Sequence, residues 1–479
     1  MTIETAIAMN RFGLGARPSG TAPDSPKDWL KSQLGQYNPE PAALAGQPSR
    51  ADIAASFREY QLDRKDRRAA VKSAASPRME DETPQIDPAK IEKVVNTLRV
   101  QYVAAADSRM ESAITADTDF AERLVHFWSN HFAVSVDKLP VLALAGDHEF
   151  TAIRPHIMGK FSDLLFAAAT HPAMLLYLDQ AQSIGPNSAL AVRVAARRNR
   201  ELGLNENLAR EILELHTLGV RTVYNQNDVT EFARALTGFT VGGMAKGPLQ
   251  RFLAANGRDG DSQFFPGIHE PGERKVIGRR YSQQGEAQAR AIFSDIATHP
   301  ATARHIATKL AQHFAADVPP PSLVARLEKT FLESGGDLPK LYRTLIESPE
   351  MWLPKQAKFK SPWDWAVSSL RALNVRELPN NRQSVNIMAQ MGQPIWRPGS
   401  PAGYSDTTEN WAGGAALMRR VEIASQLAKR SANRVDARQL APRILVGQIG
   451  QLTAESIARA ESPSQGLALL LLSPEFLRR

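Results

Sequence analysis

The segment 204–220, LNENLAREILELHTLGV, has the densest group of side chains that could transfer protons. At about 100° per residue, Leu208, Ile212 and Leu215 form one apolar stripe of a helix, with Asn205 as the expected N-cap and Gly219 as the expected stop. Glu211 lies about 60° to one side of this stripe, and His216 about 80° to the other. A carboxylate at that boundary would be partly desolvated and its pKa raised, which suits acid–base catalysis.

The same helix also permits a purely structural interpretation. Glu206, Arg210 and Glu214 follow one another at a spacing of four residues, so they could form ordinary ion pairs on a solvated face. Asn207 extends the polar edge beyond Glu211. Both interpretations remain open at this point.

A second helix is predicted in YNQNDVTEFARALTGF, at 224–239. Asp228 and Glu231 fall in its first turn, where the helix dipole favours acidic side chains, and this explains both of them. The connection from Gly219 is short, however, so the two helices must pack close together. Asp228 or Glu231 could then complete a carboxylate pair with Glu211 or Glu214, and two carboxyls ~5–10 Å apart are what glycoside hydrolysis requires.

A third helix is predicted in DTDFAERLVHFWSNHFAVSVDK, at 117–138, where Asp119 and Glu122 resemble a capping box. Phe120, Leu124, Phe127 and His131 then follow one stripe of this helix. His126 and Asn130 are one turn apart, and His131 and Trp128 lie beside them. Such a group could supply two metal ligands or a surface that binds sugars. The alternative is a core helix whose histidines bond to backbone carbonyls.

Three further histidines lie at predicted turns. His171 and His299 each precede a proline, which predicts a helix start after each of them. His269 lies in a glycine-rich stretch and is a further candidate substrate-binding residue. No HExxH or comparably tight spacing is present, so no cofactor is predicted, and a divalent metal is kept only as a third hypothesis.

The elements that would position these residues are mostly helical, because clear alternating strand patterns are scarce. We predict a mainly α fold: one large multi-helical domain over residues 1–479, with long irregular loops and at most a small β-hairpin. Three stretches interrupt it: a charged, partly disordered connection at 63–93, a Gly/aromatic loop excursion at 240–285 and a Pro/Gly-rich loop at 379–410.

Composition excludes several classes of protein. The 479 residues include 58 Lys and Arg against 50 Asp and Glu, so the net charge of +8 is thinly spread and does not indicate nucleic-acid binding. The absence of Cys excludes disulfides, thiolate nucleophiles and Cys-bound metals. No apolar run reaches the ~20 residues of a membrane span. Without a recognisable signal peptide at the start of the sequence, a cytoplasmic location is expected.

Several motifs together resemble a large bacterial family catalogued as domain of unknown function 1800. They are NRFGLGARP, HFWSNHF, HPAMLLYLD, NENLAREILELHTLGV, DVTEFARALTGF, HPATARHIATKL and the late MGQP followed by PAGY and Trp411. The resemblance implies a predominantly helical protein without an assigned reaction, encoded beside a secreted phosphatase/sulfatase-like protein. Many relatives carry export signals. Periplasmic location by export together with a signal-bearing partner is therefore the alternative to the cytoplasm.

Two functions from different classes follow as expectations. The first is a hydrolase acting on a carbohydrate, such as a polysaccharide, or on a similar polar or anionic polymer. Glu211 and one of Glu206, Glu214 or Asp228 would act as acid and base, with His216 nearby. Arg210, Asn207, Trp128, Asn130, His131 and His269 would bind the substrate. The second is a non-catalytic partner or assembly factor for the co-encoded phosphatase/sulfatase-like protein, in which the Glu/Arg ladder holds helices in register.

Overall fold

The computed structural model describes residues 2–18, 20, 23–74, 88–198, 203–244, 258–378 and 382–479, and the fold is mainly α-helical, as predicted. The helices before the first strand are α1 Ile3–Ile7, α2 Pro26–Gln36, α3 Arg50–Ala74, α4 Pro88–Thr115, α5 Asp119–His131, α6 Leu139–Leu142, α7 Leu144–Asp147, α8 Phe161–Thr170, α9 Pro172–Tyr177, α10 Ala189–Arg198, α11 Asn207–Glu211 and α12 Gln226–Leu236. Those that follow are α13 Glu286–Ala297, α14 Pro300–Phe314, α15 Pro321–Ser334, α16 Leu338–Glu347, α17 Pro362–Ala372, α18 Gln383–Gln390, α19 Thr408–Trp411, α20 Gly414–Ser431, α21 Ala437–Ile444, α22 Gln451–Ala458 and α23 Pro463–Leu471.

Single turns of other helix types join these elements. Three segments are π-helical: Ala8–Phe12, His148–Ile153 and Ile212–His216. Short 3₁₀ turns occupy Ala42–Leu44, Arg154–His156, Gln180–Gln182, Pro266–Ile268 and Pro349–Trp352. In the described part of the chain, no helix is both long and apolar enough to cross a bilayer.

Two small antiparallel sheets lie within the predicted excursion at 240–285. Strand β1 Phe239–Val241 pairs with β2 Ser262–Phe264, and β3 Arg274–Val276 pairs with β4 Arg279–Tyr281. The second pair is a hairpin whose two turn residues, Ile277 and Gly278, have φ of 48° and 75°. Two positive φ angles in a two-residue turn match the twist of the strands that it joins.

The core is built around α5. Twelve of its thirteen residues are buried, among them Phe120, Leu124 and Trp128. The apolar stripe predicted for this helix therefore packs inward, and the rings of Phe12 and Phe314 meet Phe120 edge-on from neighbouring elements. Buried apolar residues from α1 to the last helix, α23, belong to one contiguous cluster around it. This packing fixes the side chains of α5 in place.

Both helix starts predicted at His-Pro pairs are present. His171 is the N-cap of α9 and His299 that of α14, and the Nδ1 atom of each ring accepts the N–H of the residue two positions later, at 3.1 Å. Each imidazole thus replaces the Ser or Asp that commonly caps a helix, and the following proline supplies the φ angle of the first helical residue.

Several local predictions differ from the structure. The capping box of α5 is absent: Asp119 instead binds Arg371 at 2.9 Å and Glu122 binds Arg154 at 2.6 Å. Within 379–410, residues 379–381 lie outside the described part, and α18 forms a helix where a loop was expected. In the charged connection at 63–93, α3 continues to Ala74 and α4 begins at Pro88. Residues 75–87 lie outside the described residues.

Candidate functional site

A cavity of about 280 Å³ opens between α5, α14, the start of α17 and the segment 391–407, called here the wall loop. Four of its titratable lining residues come from α5 and α14. α5 contributes His126 and His131, and α14 contributes Lys309 and His313. The wall loop contributes Asp406. A concave site that gathers this many titratable groups is a natural candidate for binding and chemistry.

His313 and Asp406 form a hydrogen-bonded pair in this cavity. Nδ1 of His313 lies 2.6 Å from Oδ2 of Asp406, and Nε2 of His313 is buried without a hydrogen-bond partner among the described residues. Burial lowers the pKa of His313, against the opposing effect of Asp406. Burial alone would raise the pKa of Asp406, but its interaction with His313 and the charges of Lys358 and Arg479 hold it well below its usual range.

These shifts define the protonation states near neutral pH. Asp406 is ionised and can only accept a hydrogen bond, so the proton of the shared bond lies on Nδ1 of His313. The lone pair of His313 is therefore on Nε2. A neutral imidazole that is held by a carboxylate and has a free Nε2 is suited to act as a general base.

Lys309 lies one helical turn before His313, on the same face of α14. Among the described residues its ammonium has neither a hydrogen bond nor an ion-pair partner, although it is half-buried at the cavity wall. Burial lowers the pKa of Lys309 to about 8, and the charge of Asp406 only partly opposes this shift. Lys309 is thus a mostly charged but unpaired cation at neutral pH.

The two histidines of α5 differ: Nε2 of His126 lies 3.5 Å from Oε1 of Glu122, whereas His131 has a free nitrogen. Nε2 of His131 lies 3.0 Å from the carbonyl oxygen of His216, while its Nδ1 has no described partner. Nδ1 of His126 accepts the indole N–H of Trp363 at 3.0 Å. Burial lowers the pKa of both imidazoles, so they are neutral at physiological pH. His131 therefore offers a hydrogen bond to a ligand rather than charge.

Arg109 closes one side of the cavity. Its guanidinium lies over the rings of Trp363 and Trp396, at 4.2 Å and 5.4 Å from their centroids, and its Nε donates to Glu149 at 2.9 Å. The indole N–H of Trp396 donates to the same carboxylate at 3.0 Å. This cluster is internally paired, and it makes the wall rigid.

Behind the cavity lies a buried group of charges centred on Asp364. One oxygen of Asp364 accepts from Arg123 at 2.9 Å, and the other accepts from Arg479 at 3.1 Å. Burial would raise the pKa of Asp364, but the two guanidinium groups lower it far below its usual range. The group therefore has two cations and one anion, and its excess charge is positive.

The acid-rich segment of α11 does not reach this cavity. Arg210 contacts Glu206 at 3.3 Å and Glu214 at 3.8 Å, as the structural alternative predicted. Glu206 also accepts a hydrogen bond from Thr230 at 2.6 Å. Asn207 is exposed, and with Glu206 it borders a separate, shallow depression.

The helical wheel fails after Glu211 because the chain continues as the π-helix Ile212–His216, which has more than 3.6 residues per turn. His216 is consequently fully buried rather than at a boundary, and neither ring nitrogen has a described partner. Burial lowers its pKa to about 3. Glu211 is half-buried, and burial and then Glu214 raise its pKa, as predicted. Neither Glu211 nor His216 lines the cavity described above.

Two further candidates have structural contacts. Asp228 completes the capping box of α12 with Asn225, and its other oxygen accepts the N–H of Ile277 at 2.7 Å, which holds the β3–β4 turn. No described hydrogen bond or ion pair joins Asp228 to Glu211 or Glu214. His269 bonds the backbone oxygen of Thr237 at 2.7 Å and lies away from the cavity lining.

Trp128 and Asn130 of α5 differ in their position relative to the cavity. The Trp128 side chain is fully buried, its N–H donates to Tyr342 at 2.6 Å, and it does not line the cavity. Asn130 lines the cavity, but its amide bonds both backbone groups of Tyr404, at 2.7 Å and 2.9 Å. Gly403, at φ +80°, allows this approach, because a Cβ there would lie 2.3 Å from the carbonyl oxygen of Asn130.

The sequence interpretation missed Lys309, His313 and Asp406. A signal was present for the helix: His305, Lys309 and His313 recur every four residues and so share one face of α14. Nothing local indicated Asp406, which reaches His313 from 93 residues away. As for metals, the part of the chain that the structure describes contains no group of three or more His, Asp or Glu placed to hold an ion.

Comparison with known proteins gives one match. The family model described as "Protein of unknown function (DUF1800)" matches residues 7–478, nearly the whole chain. No curated protein and no solved structure matches it significantly.

Proposed function

Because this chain belongs to the DUF1800 family, for which no function is described, we propose its function from the cavity: it is a hydrolase with His313 as general base. The substrate is a carbohydrate or similar polar polymer. The observation that carries the proposal is the free, buried Nε2 of His313, oriented by Asp406 in a cavity of about 280 Å³.

In this proposal His313 activates a water molecule. Nε2 takes one proton from the water while the resulting hydroxide adds to the electrophilic centre of the substrate, and the scissile bond breaks. The imidazolium then returns the proton to the leaving group, so the base is regenerated. Asp406 is a positioning residue: it keeps the Nδ1 tautomer and stabilises the transient imidazolium, as carboxylates do in catalytic triads.

The carboxylate-pair mechanism expected from the sequence would need the acidic residues around α11 to line this cavity, and they do not. These residues pair with Arg210 or stand apart from the cavity, whose two lining aspartates both have lowered pKa values. A glycosidase of the usual kind requires one protonated carboxyl as general acid. A histidine base requires no such group, so it fits these walls better.

The test is a substrate screen with a matched pair of variants. The wild-type protein is assayed against polysaccharides and chromogenic esters, phosphates, sulfates and glycosides, alone and with the co-encoded phosphatase/sulfatase-like protein. His313→Asn keeps a donor near Asp406 but removes Nε2, and we expect turnover to fall by about 10²–10⁴-fold. Asp406→Asn should cause a loss of similar size by favouring the wrong tautomer.

Arg304→Gln is the control, because this exposed residue lies on the same helix and does not line the cavity. Activity that survives in folded His313→Asn would refute the proposed base. If the wild-type protein turns over no substrate in either setting, the non-catalytic partner role becomes the better explanation.

A further inference from the structure

We propose that the cavity binds an oxyanion of the substrate, a carboxylate, sulfate or phosphate group, at the ammonium of Lys309. This inference rests on the proposed function, because it places the substrate in the same cavity as His313. It adds the substrate's chemical class: an acidic rather than a neutral polymer.

The first argument is that Lys309 lacks a partner. Three neighbouring cations are paired: Arg109 with Glu149, Lys358 with Asp317 at 2.8 Å, and Arg123 with Asp364. Lys309 forms no such bond with any described residue, yet it is half-buried in the cavity wall. A desolvated ammonium without a counterion is costly, and a bound anion removes that cost.

The second argument is the sign of the surrounding charge. Asp364 is shared between Arg123 and Arg479, which leaves one positive charge in excess behind the cavity. Arg109 and Glu149 cancel each other. The excess behind the cavity balances the ionised carboxylate of Asp406, so the ammonium of Lys309 leaves the site with a net positive charge. In a partly desolvated site these charges act over several ångströms, so the cavity attracts an anion and disfavours a cation.

The third argument concerns the titratable groups that face Lys309. Asp406 is the only described acid whose charge acts on its pKa, and it is already bonded to His313. The imidazoles of His131, His216 and His305 also feel its charge, but they are neutral because burial lowers their pKa values. No acid in the described wall is thus left to neutralise Lys309, and the substrate must supply the negative charge.

The decisive measurement uses the wild-type protein and needs no knowledge of the natural substrate. Lysine side chains are labelled with ¹³C, and the titration of Lys309 is followed by NMR in buffer and with glucuronate, glucose 6-sulfate, glucose 6-phosphate or glucose. We expect at least one of the three acids to raise the pKa of Lys309 by roughly one unit, as a nearby opposite charge does. Glucose, the neutral match, should leave it unchanged.

Variants then assign the effect. Lys309→Met should weaken binding of the effective acid about tenfold or more, while Lys309→Arg retains most of it. Lys340→Met, at an exposed site outside the cavity lining, is the control and should bind like the wild type. His313→Asn should still bind the acid, since it removes the base and not the ammonium.

The two proposals therefore fail separately. If all three acids leave the Lys309 titration unchanged, or if folded Lys309→Met binds them as tightly as the wild type, the anion site is refuted and the base is not. If His313→Asn binds the acid and still hydrolyses substrate, the proposed base is refuted and the anion site stands.

Discussion

Replacing His216 by Phe tests whether the imidazole of His216 is buried without a hydrogen bond. The ring is fully buried, its centroid lies 5.1 Å from that of Phe132, and neither nitrogen has a partner among the described residues. Phe fills nearly the same space without polar atoms. We therefore expect His216→Phe to raise the free energy of unfolding at pH 7.5 by about 1–2 kcal/mol.

The same variant should change how stability depends on pH. Burial lowers the pKa of His216 from 6.5 to about 3, so the unfolded chain binds a proton between these values that the native state does not. Stability from this group is complete above pH 6.5 and is lost as the pH falls. From pH 7.5 to 5.5 the loss is about 1.4 kcal/mol for one such histidine, and His216→Phe should remove that amount from the wild-type slope.

His148→Phe is the matched control. The pKa of His148 is also lowered to about 3, mainly by burial, but its Nε2 bonds the carbonyl oxygen of Ala168 at 3.2 Å. This variant should reduce the slope equally yet lower stability at pH 7.5, because it leaves that carbonyl unpaired.

Urea unfolding at both pH values measures all four quantities, the stability change and the slope change for each variant. If His216→Phe destabilises the protein by more than 2 kcal/mol, or leaves the pH slope unchanged, then His216 is protonated or hydrogen-bonded inside the fold. Our reasoning about its burial would then be wrong.

Two further predictions concern the wall loop and the buried acids. Asn130→Ala removes both hydrogen bonds to Tyr404 and should lower the free energy of unfolding by about 1–3 kcal/mol. It should also accelerate hydrogen exchange of the Tyr404 amide; unchanged exchange would show that other contacts hold the wall loop. Glu211→Gln should change the free energy of unfolding by less than about 1 kcal/mol, because its carboxylate has no described hydrogen bond. Glu122→Gln should cost about 3–5 kcal/mol, because it leaves buried Arg154 without its charge partner. Equal costs of the two variants in thermal or urea unfolding would contradict this difference.

Periodicity and turn chemistry were enough to predict much of the fold. The stripe of α5 packs inward as expected, and His171 and His299 start helices where proline follows them. These features depend on neighbouring residues only, so a local pattern determines them. The raised pKa of Glu211 also followed from its place beside an apolar stripe.

The site could not be predicted in the same way. A π-helical turn shifts His216 by enough to bury it, and no residue type in 212–216 indicates that turn. The partner of His313 lies in the wall loop, whose course depends on Asn130 and on the ion pairs of Lys358. Such contacts join distant parts of the chain, so local patterns in one sequence do not reveal them.

The motif HFWSNHF on α5 therefore contributes to the cavity mainly by positioning the wall loop. Asn130 holds the backbone of Tyr404, two residues before Asp406, and Lys358 donates to the backbone oxygen of Asp406 while pairing with Asp317. Asp406 is thus held both through the backbone of Tyr404 and through its own carbonyl oxygen. A carboxylate held this firmly keeps His313 in one tautomer and one orientation, and that constraint makes a free Nε2 useful as a base. A residue such as Asn130 can consequently be essential for activity without contacting the reacting atoms.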